Sequence, residues 1–220
     1  MTSKGYYRIP YSTSYIQKHM VIDRVKSKSL FNEDSIIFDC GGFKGEYTDD
    51  IIRKYNCNVY IYEPIKEFSD RLINKYKDNK KIHVINKAIH KRIGKEKFYL
   101  GGISKEGSSL IKEKYNVDKE IVVETTTINN ELNINKIDKL DLIKLNVEGS
   151  ELDILENTSI DTLKKIKQIQ LSAHFNKGIP NYTVDRFNKL KEYLIKGGLM
   201  LVESYNYNKS YVFFNVYFLR

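Results

Sequence analysis

Short apolar runs, each ending abruptly in a polar group, recur along this chain. The first, IIFD at 36–39, breaks into CGGFKG, which places Gly41, Gly42 and Gly45 close together. A second, NVYIY over Asn58–Tyr62, stops at Glu63 and Pro64. Further runs lie at Ile82–Ile85, at 140–145 (LDLIKL) and at 166–173, the last ending at His174. Short, largely apolar runs of this length predict parallel strands covered on both faces. Between them the apolar period changes to that of a helix. Glu46–Tyr55 places Tyr47, Ile51, Ile52 and Tyr55 on one side, and 65–76 does the same with Phe68, Leu72, Ile73 and Tyr76. A helix follows Glu151 and runs through Leu155, and a longer one at 184–195 is stopped by Gly197 and Gly198 as a glycine C-cap.

The remaining stretches read differently. Residues 95–127 form a β-rich excursion that includes an alternating strand at 120–127, and 129–137 suits a short helix. Residues 199–204 and Tyr211–Leu219 predict a terminal antiparallel pair. Upstream, an amphipathic helix around 14–26 makes residues 1–35 an N-terminal helical cap over the main domain, 36–220. Strand and helix alternate with short connections, so the expectation is one doubly wound α/β domain with a Rossmann-like, mostly parallel sheet and a C-terminal antiparallel hairpin.

Composition narrows the field. The 220 residues carry a formal charge of +9 with pI near 9.2, which invites a nucleic-acid partner. The cations are lysines scattered among Asn, Ile and Tyr without a dense basic block, so nucleic acid is disfavoured. No run approaches a membrane span, and the N-terminus lacks the apolar core of a secretory signal. Cys40 and Cys57 suggest neither a disulfide framework nor a zinc cluster, and a cytoplasmic protein is expected. Oligomeric state is not written in the pattern.

The chemistry collects where the strands end, because ligands of such sheets bind beyond their carboxyl ends. Asp39, Glu63, Asn86, Asn146 with Glu148, and His174 all stand there. Each also has a plain structural reading: a helix cap for Asp39, a lysine partner for Glu63, a helix-dipole role for Glu148 and Glu151. The spacing Asp39-x-Gly41-Gly42-x-x-Gly45 departs from the G-x-G-x-x-G of dinucleotide sites. An acid ahead of the glycines repels phosphate but can pair with an ammonium, while Glu63 is placed for ribose hydroxyls. A ligand with a ribose, an amino-acid end and no phosphate matches both, namely S-adenosylmethionine.

The ordered motifs also resemble those of the FkbM-type S-adenosylmethionine-dependent methyltransferases, from about residue 36 to His174. The family's D-x-G-A-N-x-G-x-[YF]-[ST] is similar to the stretch from Asp39 to Thr48, its F-E-P to Tyr62-Glu63-Pro64, and its N-x-A to Asn86-Lys87-Ala88. Its small-Ser-Ser turn resembles Gly107-Ser108-Ser109, and its D-V-E-G-x-E resembles the run from Asn146 to Glu151. Phe43 replaces the usual Asn, and Asn146 the usual Asp. The resemblance implies a seven-stranded class I methyltransferase fold and O-methylation of a sugar, glycan or secondary metabolite. It makes Asp39, Gly41, Gly42, Phe43, Gly45, Glu63, Pro64, Asn86, Ala88 and Asn146 the expected cofactor contacts. His174 is then the first choice of general base, with Glu148 second and Asn146 beside them. Asn146, Glu148 and His174 could also offer ligands to a divalent metal, although Asn is a poorer partner for a hard cation. The alternatives are a weakly active S-adenosylmethionine-binding module, which the change at Asn146 would favour, and an RNA or DNA methyltransferase.

Overall fold

The structure is a computed structural model that describes residues 7–9, 31–101, 108–112, 119–175, 179–208 and 211–219. The helix expected around 14–26 lies outside the described residues. The main sheet runs β4 (Ile82–Ile85), β3 (Asn58–Tyr62), β2 (Ile36–Cys40), β8 (Leu142–Leu145), β9 (Gln168–Phe175), β11 (Tyr211–Leu219), β10 (Met200–Asn208) and β1 (Tyr7–Ile9). Only β11 runs against its neighbours. Seven strands were expected, and among the described residues the sheet has eight, because Tyr7–Ile9 adds a parallel edge strand to β10. A separate three-stranded sheet joins β5 (Ala88–Ile89), β7 (Lys119–Thr126) and β6 (Gly94–Leu100) and accounts for the β-rich excursion.

From β2 the chain steps outward through β3 to β4, and later returns to place β8 and β9 on the opposite side of β2. The order therefore reverses between β2 and β8, which opens a crevice at their carboxyl ends. Side chains alternate across the sheet. Ile37, Val59, Ile61 and Leu142 pack under α1 (Glu46–Tyr55) and α2 (Lys66–Tyr76). Phe38, Ile143, Leu145, Ile169 and Leu171 pack on the other face. There they meet α3 (Ile128–Ile134), α4 (Glu151–Glu156), α5 (Ile160–Lys165) and α6 (Val184–Lys196). The six-residue α5 has too short an apolar period to be read from sequence, and its start is fixed by Ser159, whose side chain accepts from the Thr162 amide.

One boundary bears on function. The strand expected to end before His174 continues through Phe175, because β11 pairs along its whole length and sets His174 opposite Phe213. His174 is thus a strand residue, and its side chain lies outside the described residues.

Candidate functional site

A cavity of about 270 Å³ opens at the ends of β2, β3 and β8. Gly41 and Gly42 form part of its wall, and the chain leaving β2 meets the chain leaving β8 there, the Asn146 amide donating to the Cys40 carbonyl at 3.2 Å. A Cβ on Gly41, whose φ is +84°, would stand 2.2 Å from the Asn146 carbonyl oxygen. One on Gly42 would stand 2.2 Å from a methyl of Ile61. These glycines are required by chain meeting chain, in addition to whatever the cavity holds.

Asp39 is fully buried and does not line the cavity. Its register partner on β8 is Lys144, so the two side chains share one face of the sheet. The Lys144 Nζ donates to Asp39 Oδ1 at 2.8 Å and to the Gly41 carbonyl at 2.9 Å, and the Thr48 hydroxyl donates to Asp39 Oδ2 at 2.8 Å. The acid expected to meet a ligand's ammonium already holds one from its own chain. Lys144 does line the cavity and was missed in the sequence. The signal was there: a lysine inside LDLIKL, where every neighbour on the strand is buried.

Glu63 stands in the cavity wall with only 4 % of its surface exposed. Its Oε2 accepts from the Phe43 amide at 2.8 Å and its Oε1 from the Ile65 amide at 2.9 Å. Burial pushes its pKa up to about 7, against the pull of those two amides and of the Lys144 ammonium. The bond to Phe43 ties the glycine loop to the end of β3 and holds Phe43 at φ +48°, unusual for a bulky residue. The Phe43 ring meets Phe68 edge-on at 4.7 Å between centroids. With Pro64, Ile65, Ala88 and Phe98 they make one apolar side of the cavity. Asn86 stands behind this wall, donating from Nδ2 to the carbonyls of Glu63 at 2.8 Å and Pro64 at 3.0 Å. Gly45, at φ +81°, starts α1 and packs against Tyr76, and it does not reach the cavity.

Asn146, Val147 and Glu148 complete the wall on the β8 side. Their loop is shaped by Glu151, a fully buried carboxylate that accepts from the amides of Val147 and Gly149, each at 3.0 Å. Glu148 sits at φ +59°, and its carbonyl accepts from the Ser109 hydroxyl at 2.9 Å. Of the residues singled out from sequence, the cavity brings together Gly41, Gly42, Phe43, Glu63, Pro64, Ala88, Asn146 and Glu148. Asp39, Gly45 and Asn86 stand behind it as supports. Among the described residues no cluster of three or more His, Cys, Asp or Glu is placed to hold a metal ion. No helix among them is long and apolar enough to cross a membrane.

A Rossmann-like α/β sheet with a cavity at its switch point and a buried acid at the adjoining strand end defines a class of small-ligand-binding domains. Within it, the chain belongs to the FkbM methyltransferase domain family, whose profile matches residues 39–208. No curated protein sequence matches the chain. Among solved structures, the fold is similar to that of M. capricolum TrmK in complex with S-adenosyl-homocysteine (TM-score 0.54, 10 % identity, covering 95 % of this chain and 69 % of that one). It is also similar to an rRNA methylase from Streptococcus thermophilus (0.51, 12 %, 95 % and 99 %). A third is Aeropyrum pernix fibrillarin with natively bound S-adenosyl-L-methionine (0.51, 9 %, 86 % and 68 %). At such identities the likeness is one of fold.

Proposed function

We propose that this protein is an S-adenosylmethionine-dependent methyltransferase acting on a hydroxyl of a sugar, glycan or secondary metabolite. Family membership supports methyl transfer, and the observation that carries the cofactor assignment is Glu63. A carboxylate offers about four acceptor positions. Two face the amides of Phe43 and Ile65, which leaves about two for a pair of ribose hydroxyls. The apolar side formed by Ile65, Phe68, Ala88 and Phe98 suits an adenine, and the loop from Gly41 to Phe43 with Lys144 borders the amino-acid end. The residues present therefore fit the cofactor. When bound, S-adenosylmethionine supplies an activated methyl group.

What remains for the chain is to hold the acceptor and take its proton. His174 is assigned as base because an ordinary imidazole titrates near working pH. Glu148, in the cavity wall, is the second candidate. The Asn146 amide both donates and accepts, so it can orient a hydroxyl without removing its proton. Cys40 and Cys57 are buried free thiols, which agrees with a cytoplasmic setting.

The test is S-adenosylhomocysteine binding to Glu63→Ala, measured by titration calorimetry beside a circular-dichroism check of folding. Loss of hydrogen bonds to a charged acceptor should weaken binding by at least about tenfold. An unchanged affinity in a folded variant would refute the ribose assignment.

A further inference from the structure

A second, wider cleft of about 960 Å³ adjoins the cofactor cavity. Leu110 lines both. On β5, Ala88 and Ile89 belong to the first space, and His90, the next residue, to the second. Along the loop before α4, Glu148 belongs to the first and Gly149 to the second. On β6, Phe98 belongs to the first and Tyr99 to the second, so the two spaces meet along four chain segments. His90 is all but buried in the cleft wall, and its Nδ1 has no hydrogen-bond partner among the described residues. Tyr99 adds an aromatic ring.

The charges of the cleft are unevenly committed. Asp153 accepts from Lys91 at 2.7 Å and also from Arg186, which reaches Glu156 as well through Nε at 2.8 Å. Glu96 accepts from the Arg92 Nε at 2.6 Å. Both carboxylates of the cleft are thus neutralised by their own neighbours. On the cationic side, among the described residues, Arg92 uses only its Nε and Lys112 has no ion-pair partner. A guanidinium edge and an ammonium stand open beside a space that leads to the cofactor cavity.

We propose that this cleft seats the methyl acceptor and that Arg92 and Lys112 select an acceptor carrying an anionic group, a carboxylate or a phosphate, next to its hydroxyls. The assignment deepens the methyltransferase reading and rests on it. A planar guanidinium matches either anion through two parallel hydrogen bonds, and an ammonium adds a point charge. A nucleic-acid strand is disfavoured as occupant, since strands are tracked by many phosphate contacts and the cleft has two open cations among the described residues.

Three probes separate the outcomes with the full chain, by ligand-observed NMR titration with and without S-adenosylhomocysteine: methyl glucuronide, glucose 6-phosphate and neutral methyl glucoside. At least one anionic probe should bind about tenfold or more tighter than the glucoside. Which one does so distinguishes a carboxylate from a phosphate source. Arg92→Gln combined with Lys112→Gln should abolish that preference and leave affinity for S-adenosylhomocysteine unchanged. Equal binding of charged and neutral probes, or a preference that survives the double substitution, would overturn the proposal. So would an RNA oligonucleotide that displaces the sugars with an affinity falling as a high power of salt concentration. Stabilisation by S-adenosylhomocysteine, measured separately, reports on the cofactor cavity, so its absence counts against the methyltransferase reading and a missing anion preference counts against the cleft.

Discussion

Glu63 should make folding stability fall as pH rises. An acid with its folded pKa raised from 4.5 to about 7 binds more protons in the native state than in the unfolded chain between those values. Its contribution is therefore fully present below pH 4.5 and is lost as pH climbs through 7, the reverse of an ordinary salt-bridged carboxylate. The displacement corresponds to on the order of 3 kcal/mol. Glu63→Gln isolates it. The amide oxygen can still accept from one of the Phe43 and Ile65 amides, but its NH₂ opposes the other, a loss of about 1 kcal/mol at every pH. Against that constant offset, wild type should lose on the order of 3 kcal/mol relative to the variant between pH 4.5 and 8. For a chain of this size the relative change in Tm is roughly 5–10 °C. Denaturant or thermal melts of both proteins at pH 4.5, 6 and 8 measure it. A wild-type-minus-variant difference that stays constant across that range would show that Glu63 titrates as an ordinary carboxyl, and the burial argument would fail. Saturating S-adenosylhomocysteine should flatten the wild-type slope, because ribose hydroxyls donating to Glu63 favour its ionised form.

Two further substitutions test the supports of the cavity. Lys144→Met leaves Asp39 buried without its ammonium and should cost roughly 3–5 kcal/mol, while Asp39→Leu with Lys144→Met should recover most of the loss. Urea melts of Lys144→Met, Asp39→Leu and the double variant decide this, and a double variant as unstable as the sum of the singles would remove the pair from the account. Glu151→Ala frees the amides of Val147 and Gly149 and loosens a wall of the cofactor cavity, so S-adenosylhomocysteine affinity should fall about tenfold or more in a protein that still folds. An unchanged affinity would mean that Glu151 does not hold this wall.

Much of the architecture was legible because the chain states it locally. Glu46–Tyr55, Asn58–Tyr62, Ile82–Ile85 and Tyr211–Leu219 have the same bounds in sequence and structure, since each apolar run is bounded by polar or glycine residues: Gly45 before the first, Glu63 after the second, Lys81 and Asn86 around the third, Ser210 and Arg220 around the last. The eighth strand was hidden because three residues, Tyr7–Ile9, carry no period of their own and are strands only through β10. The length of β9 was hidden for the same reason, as β11 extends it past His174.

The site shows the same division more sharply. Residues whose role is written in a local turn, such as Gly41, Gly42 and Glu63, were found at the cavity from spacing alone. Lys144 was not, because its meaning depends on register: strand pairing sets it beside Asp39, and one residue of slip would send it to the opposite face of the sheet. That pairing changes the reading of Asp39 from ligand contact to anchor. It also reaches Glu63, whose raised pKa the Lys144 charge opposes. Removing Lys144 should therefore raise the titration of Glu63 further and, at neutral pH, leave more of it protonated and less able to accept from a ribose. Asp39 and Lys144 lie on adjacent strands and Glu63 just past the end of the next, and the charge state of Glu63 depends on the pairing of the other two.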